Sequence, residues 1–330
     1  MTLDLSIWPV AHPHPTEPWT VTNRTGEWAV FDPERDSVQR VDPMVDPKLP
    51  AIAHVGCPDA LVAYRIGRRA VFQTSAGFVK VVRPRRLDSL IAKHRVAARS
   101  GVWVPSICAA ESSGLVLLGA MRGTSLHHVL LRERAHLPLI EAIGAELGRF
   151  HARAERTELS DRSRPDPSRF ITAAGRVWPE CVGALQREAA GLPDIGDAPE
   201  VAIHGDLHDK NVFVGSEGVG LIDLDGLRCG HAEEDVANLA VHLELRALQA
   251  GLETQVGVQR RAALRRGYES QRHLDLATYD AYARHTWFRL ACLYLFRARS
   301  QHLVPALLRR ARHRQQHGDL CPTELAVTDQ

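Results

Sequence analysis

Residues 61–122 alternate apolar and polar positions with the period of a strand. LVAYR (61–65), AVFQT (70–74) and FVKVV (78–82) are short apolar runs separated by turns that hold Gly67 and Gly77. They predict an antiparallel meander. The stretch RRLDSLIAKHRVAARSG then changes to helical spacing, with Leu87, Leu90, Ile91, His94 and Ala98 on one face and Gly101 as the stop signal. A second strand pair is expected in VPSICAAESSGLVLLGAM, around a turn at 111–114.

Beyond residue 122 the pattern is mainly helical. Residues 134–156 place Leu139, Ile143, Leu147 and Phe150 on one face, and a further helix is expected at 176–190. SDRSRPDPSRF between them reads as a polar loop, and two or three long helices run on to about residue 316. Residues 1–50 are proline-rich and offer only short strand candidates such as 28–31. The expected division is an N-terminal extension packing on the small lobe (1–60), a small β-rich lobe with one helix (61–122), and a larger, mainly helical lobe (123–330). The fold class is α+β.

Composition narrows the partners. At 330 residues with 45% hydrophobic side chains the chain can bury a substantial core, and 41 basic against 39 acidic residues leave a net charge of only +2. No global field points to nucleic acid or to an anionic membrane. The six cysteines lack CxxC pairing or regular spacing, which suits reduced thiols, and no run reaches the ~20 apolar residues of a membrane span. The first residues, MTLDLSIWPVAHPHP, contain no basic segment followed by an apolar one, so a cytoplasmic protein is expected.

Two polar clusters interrupt the apolar pattern of the large lobe. IHGDLHDKNVFV (203–214) crowds His204, Asp206, His208, Asp209, Lys210 and Asn211 between apolar runs, and GLIDLDG (220–226) sets Asp223 and Asp225 among Leu221, Ile222 and Leu224. On a strand the two aspartates would share a face. Two carboxylates so placed repel each other unless a cation lies between them, and Asn211 could add a neutral oxygen to a magnesium site of the kind that bridges nucleotide phosphates.

HGDLH at 204–208 with Asn211, followed by IDLD at 222–225, resembles the aminoglycoside phosphotransferase and choline kinase-like family, over roughly residues 60–300. The resemblance implies a bilobal protein kinase-like fold and transfer of the γ-phosphoryl group of ATP to a hydroxyl of a small acceptor. It implies Asp206 as catalytic base, Asn211 and Asp223 as metal ligands with Asp225 as an auxiliary acid, and ATP and Mg2+ as cofactors. Asp235 in GHAEEDVANLA matches the family's helix-capping aspartate, although Gly-His-Ala stands where Gly-Asp-Pro is usual. His204 and His208 are expected to support the loop.

The same resemblance gives Lys80, in the third strand, contact with the nucleotide phosphates. It gives Gly67 and its turn the phosphate-covering place, with Arg68 or Arg69 assisting because the turn is poor in glycine. Leu117, Leu118, Gly119 and Met121 fall in the segment joining the lobes, where adenine would bind. The helix after Lys80 has no glutamate to pair with it; either the phosphates and Asp223 alone hold Lys80, or His94 accepts its hydrogen bond.

Arginines from residue 240 on (Arg260, Arg261, Arg265, Arg266, Arg309, Arg310, Arg312, Arg314) outnumber acids, which favours a neutral or anionic acceptor, a sugar or hydroxylated natural product, over a polycationic aminoglycoside. The chain is also similar to the maltokinase-like sugar-kinase branch, and Tyr268, Tyr279, Tyr282 and Trp287 are candidates for stacking on a sugar. Three alternatives stand beside this reading: an aminoglycoside O-phosphotransferase, a catalytically weak kinase-like regulator that binds nucleotide, and a metal-dependent hydrolase built on the Asp206-Leu207-His208 spacing. The last lacks the further GD and GNH(D/E) segments its pattern needs.

Overall fold

The computed structural model of the chain describes residues 3–23, 25–132, 137–156, 159 and 166–312. Arg314 and Cys321 lie outside the described residues. The other five cysteines are free thiols.

The proline-rich extension forms more structure than its sequence pattern predicts. Strands β1 (Val10–His12), β2 (Trp19–Thr22), β3 (Trp28–Asp32) and β4 (Ser37–Val41) make a consecutive antiparallel sheet. Their alternation was hidden because the strands are short and separated by Pro and Asp turns. Trp19, Val21, Ala29 and Phe31 are buried in the main core of the large lobe, with Trp19 edge-on to Phe31 and Phe296 at centroid distances of 5.4 and 4.9 Å. Trp28 turns the other way, onto Tyr64 of the small lobe. The sheet therefore bridges both lobes.

The small lobe is a five-stranded antiparallel sheet in the order β5 (Ala60–Arg65), β6 (Arg69–Thr74), β7 (Gly77–Val82), β9 (Leu115–Leu118), β8 (Ile107–Glu111), with helix α1 (Leu87–Arg99) between β7 and β8. Strand alternation gives each face its task. Val79, Val81, Phe72, Ala70 and Tyr64 pack with Leu49, Ala51 and Ile52 of the extension, while Val82 and Val116 pack on Leu87 and Leu90 of α1.

The large lobe begins with β10 (Thr124–Ser125) and runs through α2 (Leu126–Arg132), α3 (Leu137–Arg153), α4 (Ser168–Gly175) and α5 (Val182–Ala190). Strand β11 (Glu200–Ile203) follows, then the hairpin β12 (Val212–Gly215) and β13 (Gly218–Leu221), then β14 (Arg228–His231), which pairs with β11. Helices α6 (Ala232–Gln249), α7 (Thr254–Glu269), α8 (Leu276–Tyr294) and α9 (Val304–Arg312) complete it. Helix α6 is buried along nearly its whole length, with Val236, Leu239, Ala240, Val241 and Leu243 at 0% exposure, so it is the axis of the lobe. Among the described residues no helix is long and apolar enough to cross a membrane.

The two polar clusters sit on loops at the open end of the β12–β13 hairpin rather than on its strands. Val212 pairs with Leu221 as the last rung, so residues 204–211 entering β12 and 222–226 leaving β13 emerge side by side. The shared strand face expected for Asp223 and Asp225 is corrected here. Asp223 has left-handed φ (+57°) and ends the strand geometry, and Leu224–Gly226 is a turn of 3-10 helix. Aspartate is among the few residues that tolerate this conformation, at a cost of about 1–2 kcal/mol.

Candidate active site

Lys80, Asn211, Asp223, Leu118, Gly119 and Met121 line one cleft of about 310 Å³ between the lobes, together with Val62, Val71, Phe78, Phe213 and Ile222. The apolar members can sandwich a flat ring, and the charged members gather at one side. Leu117 faces away, packing with the buried cluster that holds Val79 and Val81. Its assignment to the adenine wall is therefore corrected, because adjacent residues of β9 point to opposite faces.

The charged side of the cleft is a four-membered network. Lys80, 3% exposed, places Nζ 3.0 Å from Asp223 Oδ1 and also donates to Asp225 Oδ1. Arg69 spans both acids, with Nη1 2.8 Å from Asp223 Oδ1 and 2.7 Å from Asp225 Oδ2, and Nη2 3.2 Å from Asp223 Oδ2. Burial opposes ionisation of the two carboxyls, but Lys80 and Arg69 hold both below the usual carboxylate range. The missing helix glutamate is thus answered by Asp225, which shares Lys80 with Asp223. His94 does not take that part. It lines the cleft with Nδ1 unpartnered, and burial, reinforced by the charge of Lys80, pushes its pKa down to about 4, so it is neutral at pH 7. Its helix neighbour Lys93 instead donates to the Asp225 carbonyl oxygen at 2.5 Å.

Gly67 lies elsewhere, which corrects its expected role. Its N–H donates to Asp46 Oδ2 at 2.6 Å, its carbonyl accepts from Arg83, and it borders a separate cavity toward the extension. Its φ of +58° serves the tight β5–β6 turn, and a Cβ there would collide with Lys48. Arg68 points outward to Glu17 (2.7 Å). Of the two arginines left open by the sequence, Arg69 reaches the cleft.

The loop carrying Asp206 is fixed from below by Asp235. Asp235 Oδ2 accepts from the His204 N–H (2.6 Å), Oδ1 accepts from the Gly205 N–H (2.9 Å), and His151 Nε2 lies 3.1 Å from Oδ2. Asp235 does not cap its own helix; it stands in the first turn of α6 and spends its carboxylate on the loop. His204, fully buried, accepts the Asp206 N–H at Nδ1 (3.4 Å), so its proton is on Nε2, which donates to the Ile222 carbonyl (2.8 Å). The Ile222 N–H in turn donates to the Asn211 carbonyl (3.0 Å). Both backbone groups of Ile222 are held, and this braces the left-handed turn at Asp223. Gly205 (φ +78°) is required where the loop crosses Gly226, since a Cβ would come within 2.5 Å of the Gly226 carbonyl.

Asn211 Nδ2 donates to the Asp206 carbonyl (3.0 Å) and lies 3.3 Å from His208 Nε2, which leaves its side-chain oxygen to ligate a cation. Two carboxylates and an amide oxygen form an oxygen-only set that suits a hard divalent cation. Among the described residues no group of three or more His, Cys, Asp or Glu side chains could hold a metal without such help.

Asp206 itself is exposed and borders a second cavity of about 180 Å³, with Asp166, Arg169, Phe170, Arg228, Glu234, Asn238, Tyr282, His285 and Arg289 among its lining. Among the described residues, the C-terminal arginines singled out in the sequence do not line it. Arg261 and Arg310 pair with Glu244, Arg265 with Glu269, Arg266 with Glu141 and Arg312 with Glu188, and Arg260 is buried. They lie on α7 and α9, remote from this cavity, so they say nothing about the acceptor. Of the four aromatic candidates only Tyr282 borders it. Tyr268 and Tyr279 are core, and Trp287 packs under Arg310.

Sequence reasoning assigned no role to Asp209, Asn238 or Arg289. Asp209 is buried and takes Arg246 Nε at 2.7 Å and His127 Nδ1 at 2.6 Å, and its carboxyl stays at about 2 because these partners outweigh burial. Asn238 donates to the Leu207 carbonyl (2.8 Å) and accepts from Arg289 (2.7 Å). No local pattern marks them, since each acts across 30 residues or more.

Residues 67–282 match the model of the phosphotransferase enzyme family. Comparison with curated proteins finds no significant match. Among solved structures, the fold is similar to an amicoumacin kinase in complex with AMP-PNP and Ca2+ (15% identity, 77% of this chain and 87% of that one, TM-score 0.53). It is also similar to a choline/ethanolamine kinase family protein from Mesorhizobium loti (14%, 82% and 96%, TM-score 0.54) and to an aminoglycoside-3'-phosphotransferase of type VIII (18%, 77% and 100%, TM-score 0.50). With a kinase-like β-rich lobe, a mainly helical lobe and the family match across most of both, the chain belongs to the phosphotransferase enzyme family.

Proposed function

We propose that the protein transfers the γ-phosphoryl group of ATP to a hydroxyl of a small, neutral or anionic, hydroxylated acceptor. The observation that carries this reading is the junction of the two cavities. Asp206 belongs to one and Asn211 to the other, and the 3.0 Å bond from Asn211 Nδ2 to the Asp206 carbonyl joins them. A nucleotide in the interlobe cleft would direct its terminal phosphate toward an acceptor beside Asp206. Mg2+ held by Asn211, Asp223 and Asp225 would supply neutralisation of phosphate charge when bound.

Asp206 accepts the acceptor's hydroxyl proton and orients its oxygen. Lys80 holds phosphate oxygens, and the apolar wall of Val71, Phe78, Leu118 and Met121 holds the base. Catalysis here is positioning and charge neutralisation rather than covalent chemistry.

The second cavity supports the acceptor class. Four acids line it: Asp235 is spent on the loop, Glu234 pairs with Arg228 at 2.6 Å, Asp166 accepts from Ser168, and Asp206 is exposed. Arg169, Arg228 and Arg289 offset all but one of these charges, which leaves too little countercharge for an acceptor carrying several ammonium groups. Three buried atoms of residues that line the cavity have no hydrogen-bond partner: Glu234 Oε2, Arg228 Nη1 and His285 Nδ1. His285 Nε2 donates to the Pro193 carbonyl (3.0 Å), so its Nδ1 is an acceptor without a partner. Unpartnered donors and acceptors together, once a side-chain shift brings them to a ligand, suit hydroxyl groups, which do both.

The test is ADP release across a panel of sugars, hydroxylated antibiotics and aminoglycosides, with Asp206→Ala in parallel. Turnover on a neutral or anionic alcohol, dependent on ATP and Mg2+ and lost in the variant, is expected. Turnover confined to polycationic aminoglycosides would reverse the acceptor assignment. Nucleotide binding without turnover on any acceptor would favour the regulator, a reading to which the ion-paired Asp223 and Asp225 lend some weight.

A further inference from the structure

In a kinase-like cleft something must bind the outer oxygens of the nucleotide phosphates, and a glycine-rich turn does so with backbone N–H groups. In this chain those groups are already used. The β5–β6 turn is only Ile66–Arg68, and its three amides donate to Thr20 Oγ1 (3.2 Å), Asp46 Oδ2 (2.6 Å) and the Arg65 carbonyl (2.9 Å). The extension supplies two of these acceptors, so its packing closes the usual anion cradle.

Arg69 follows the turn directly and lines the cleft. Its guanidinium lies against both acids of the proposed metal set at 2.7–3.2 Å, and with Lys80 it balances their two negative charges. A divalent ion on the same oxygens would meet two cations at contact distance. One must withdraw. Lys80 is buried in its strand, whereas Arg69 is half-buried at the start of β6 with a longer side chain. Arginine also presents the planar fork that matches phosphate oxygens.

The surroundings of Arg69 are positive. Arg65 pairs with it across the hairpin, and β1 reaches this region through the bridge from Val10 to Arg297. Burial, with the charges of Arg69 and Arg297, lowers Arg65 to about 9, and His12 of β1 is held neutral by burial and by the same three arginines. Counting Lys80, Arg65, Arg69 and Arg297 against Asp223 and Asp225 leaves an excess of two positive charges, which a phosphate chain would offset.

We propose that Arg69 guards the Asp223–Asp225 pair in the free enzyme and becomes the ligand of the nucleotide's phosphate chain when the metal nucleotide enters, replacing the glycine loop. The inference rests on the phosphotransferase reading above and adds a residue and an order of events to it.

The test compares wild type, Arg69→Ala and Arg69→Lys, each checked for an unchanged circular-dichroism melt, by titration with Mn2+ alone (electron paramagnetic resonance) and with Mg-AMP-PNP (calorimetry). Removing the guard should tighten Mn2+ binding about 10-fold, while loss of charged hydrogen bonds to phosphate should weaken Mg-AMP-PNP about 10- to 100-fold. Arg69→Lys, which keeps the charge without the fork, should fall between. Wild type that binds Mg-AMP-PNP with Arg69→Ala unchanged in both titrations overturns the role of Arg69 alone. Wild type that binds no Mg-AMP-PNP overturns the phosphotransferase reading and this inference with it.

Discussion

The interlobe cleft and the cavity beside Asp206 share the wall made by residues 204–211, yet they treat their polar groups in opposite ways. In the cleft Lys80, Arg69, Asp223 and Asp225 satisfy one another. Among the residues lining the cavity, Glu234 Oε2, His285 Nδ1 and Arg228 Nη1 are buried without partners. A saturated network must be broken before a ligand can use it, so nucleotide entry should cost rearrangement and gain specificity. The unpartnered atoms behind the cavity wall need only a local side-chain shift to meet an acceptor, so acceptor binding should discriminate by the placement of hydroxyls. The difference has a physical origin. The cleft gathers full charges in a partly buried place, where unpaired ions are costly, whereas the cavity wall leaves only single polar atoms unpartnered.

The largest expected effect lies at Asp206. Its replacement by alanine should lower kcat roughly 10²- to 10⁴-fold while leaving the Kd for Mg-AMP-PNP unchanged. Equal losses in both would place Asp206 on the nucleotide side of the wall and dissolve the distinction.

Asp209→Ala should act on the wall itself. It leaves Arg246 without its carboxylate in a site where Asp209 is 0% exposed, and denaturant unfolding should register a loss of about 3–5 kcal/mol. An unchanged midpoint would mean that the wall does not depend on this pair.

The cleft also sets a pH response through His94. Its folded pKa of about 4 lies below the ordinary imidazole value, so neutral His94 contributes stability that is fully present above about pH 6.5 and is lost as pH falls toward 4. A loss of about 3 kcal/mol across that window is expected from the 2.5-unit difference. The His94→Gln variant should flatten this part of the stability curve, which thermal melts at stepped pH would reveal.

The smallest effect belongs to the cavity. Glu234→Gln and His285→Ala should each raise KM for the acceptor about 10-fold with KM for ATP unchanged, the size of one or two lost hydrogen bonds. A change in both constants would show that the two cavities are not separable.

Local sequence reached a long way. Strand alternation around Lys80 and the clustering at 203–214 and 220–226 located the lobes and the charged centre, because neighbours along a chain are neighbours in space over such short spans. It failed where side chains meet from distant elements. Arg69 touches acids 154 and 156 residues away, and nothing in YRIGRRA distinguishes it from Arg68. Arg260, Arg261, Arg265, Arg266, Arg309, Arg310 and Arg312 are conspicuous in composition but lie on α7 and α9, while the cavity's own cations, Arg169, Arg228 and Arg289, are scattered singly. Gly67 stands where the resemblance puts a phosphate-covering turn, but its amide is taken by Asp46.

By itself the sequence determined which groups are available for chemistry: Asp206 and Asn211 five residues apart on one loop, Asp223 and Asp225 beyond a short hairpin, and a lysine within an apolar strand. Their relative order follows from backbone periodicity and turn chemistry, which are local. Only the tertiary structure decided which of them are engaged. The packing of the extension onto both lobes used up the turn amides, and the closure of the lobes set Arg69 against the acids. Both are contacts between surfaces whose meeting depends on the whole core rather than on any segment's own pattern.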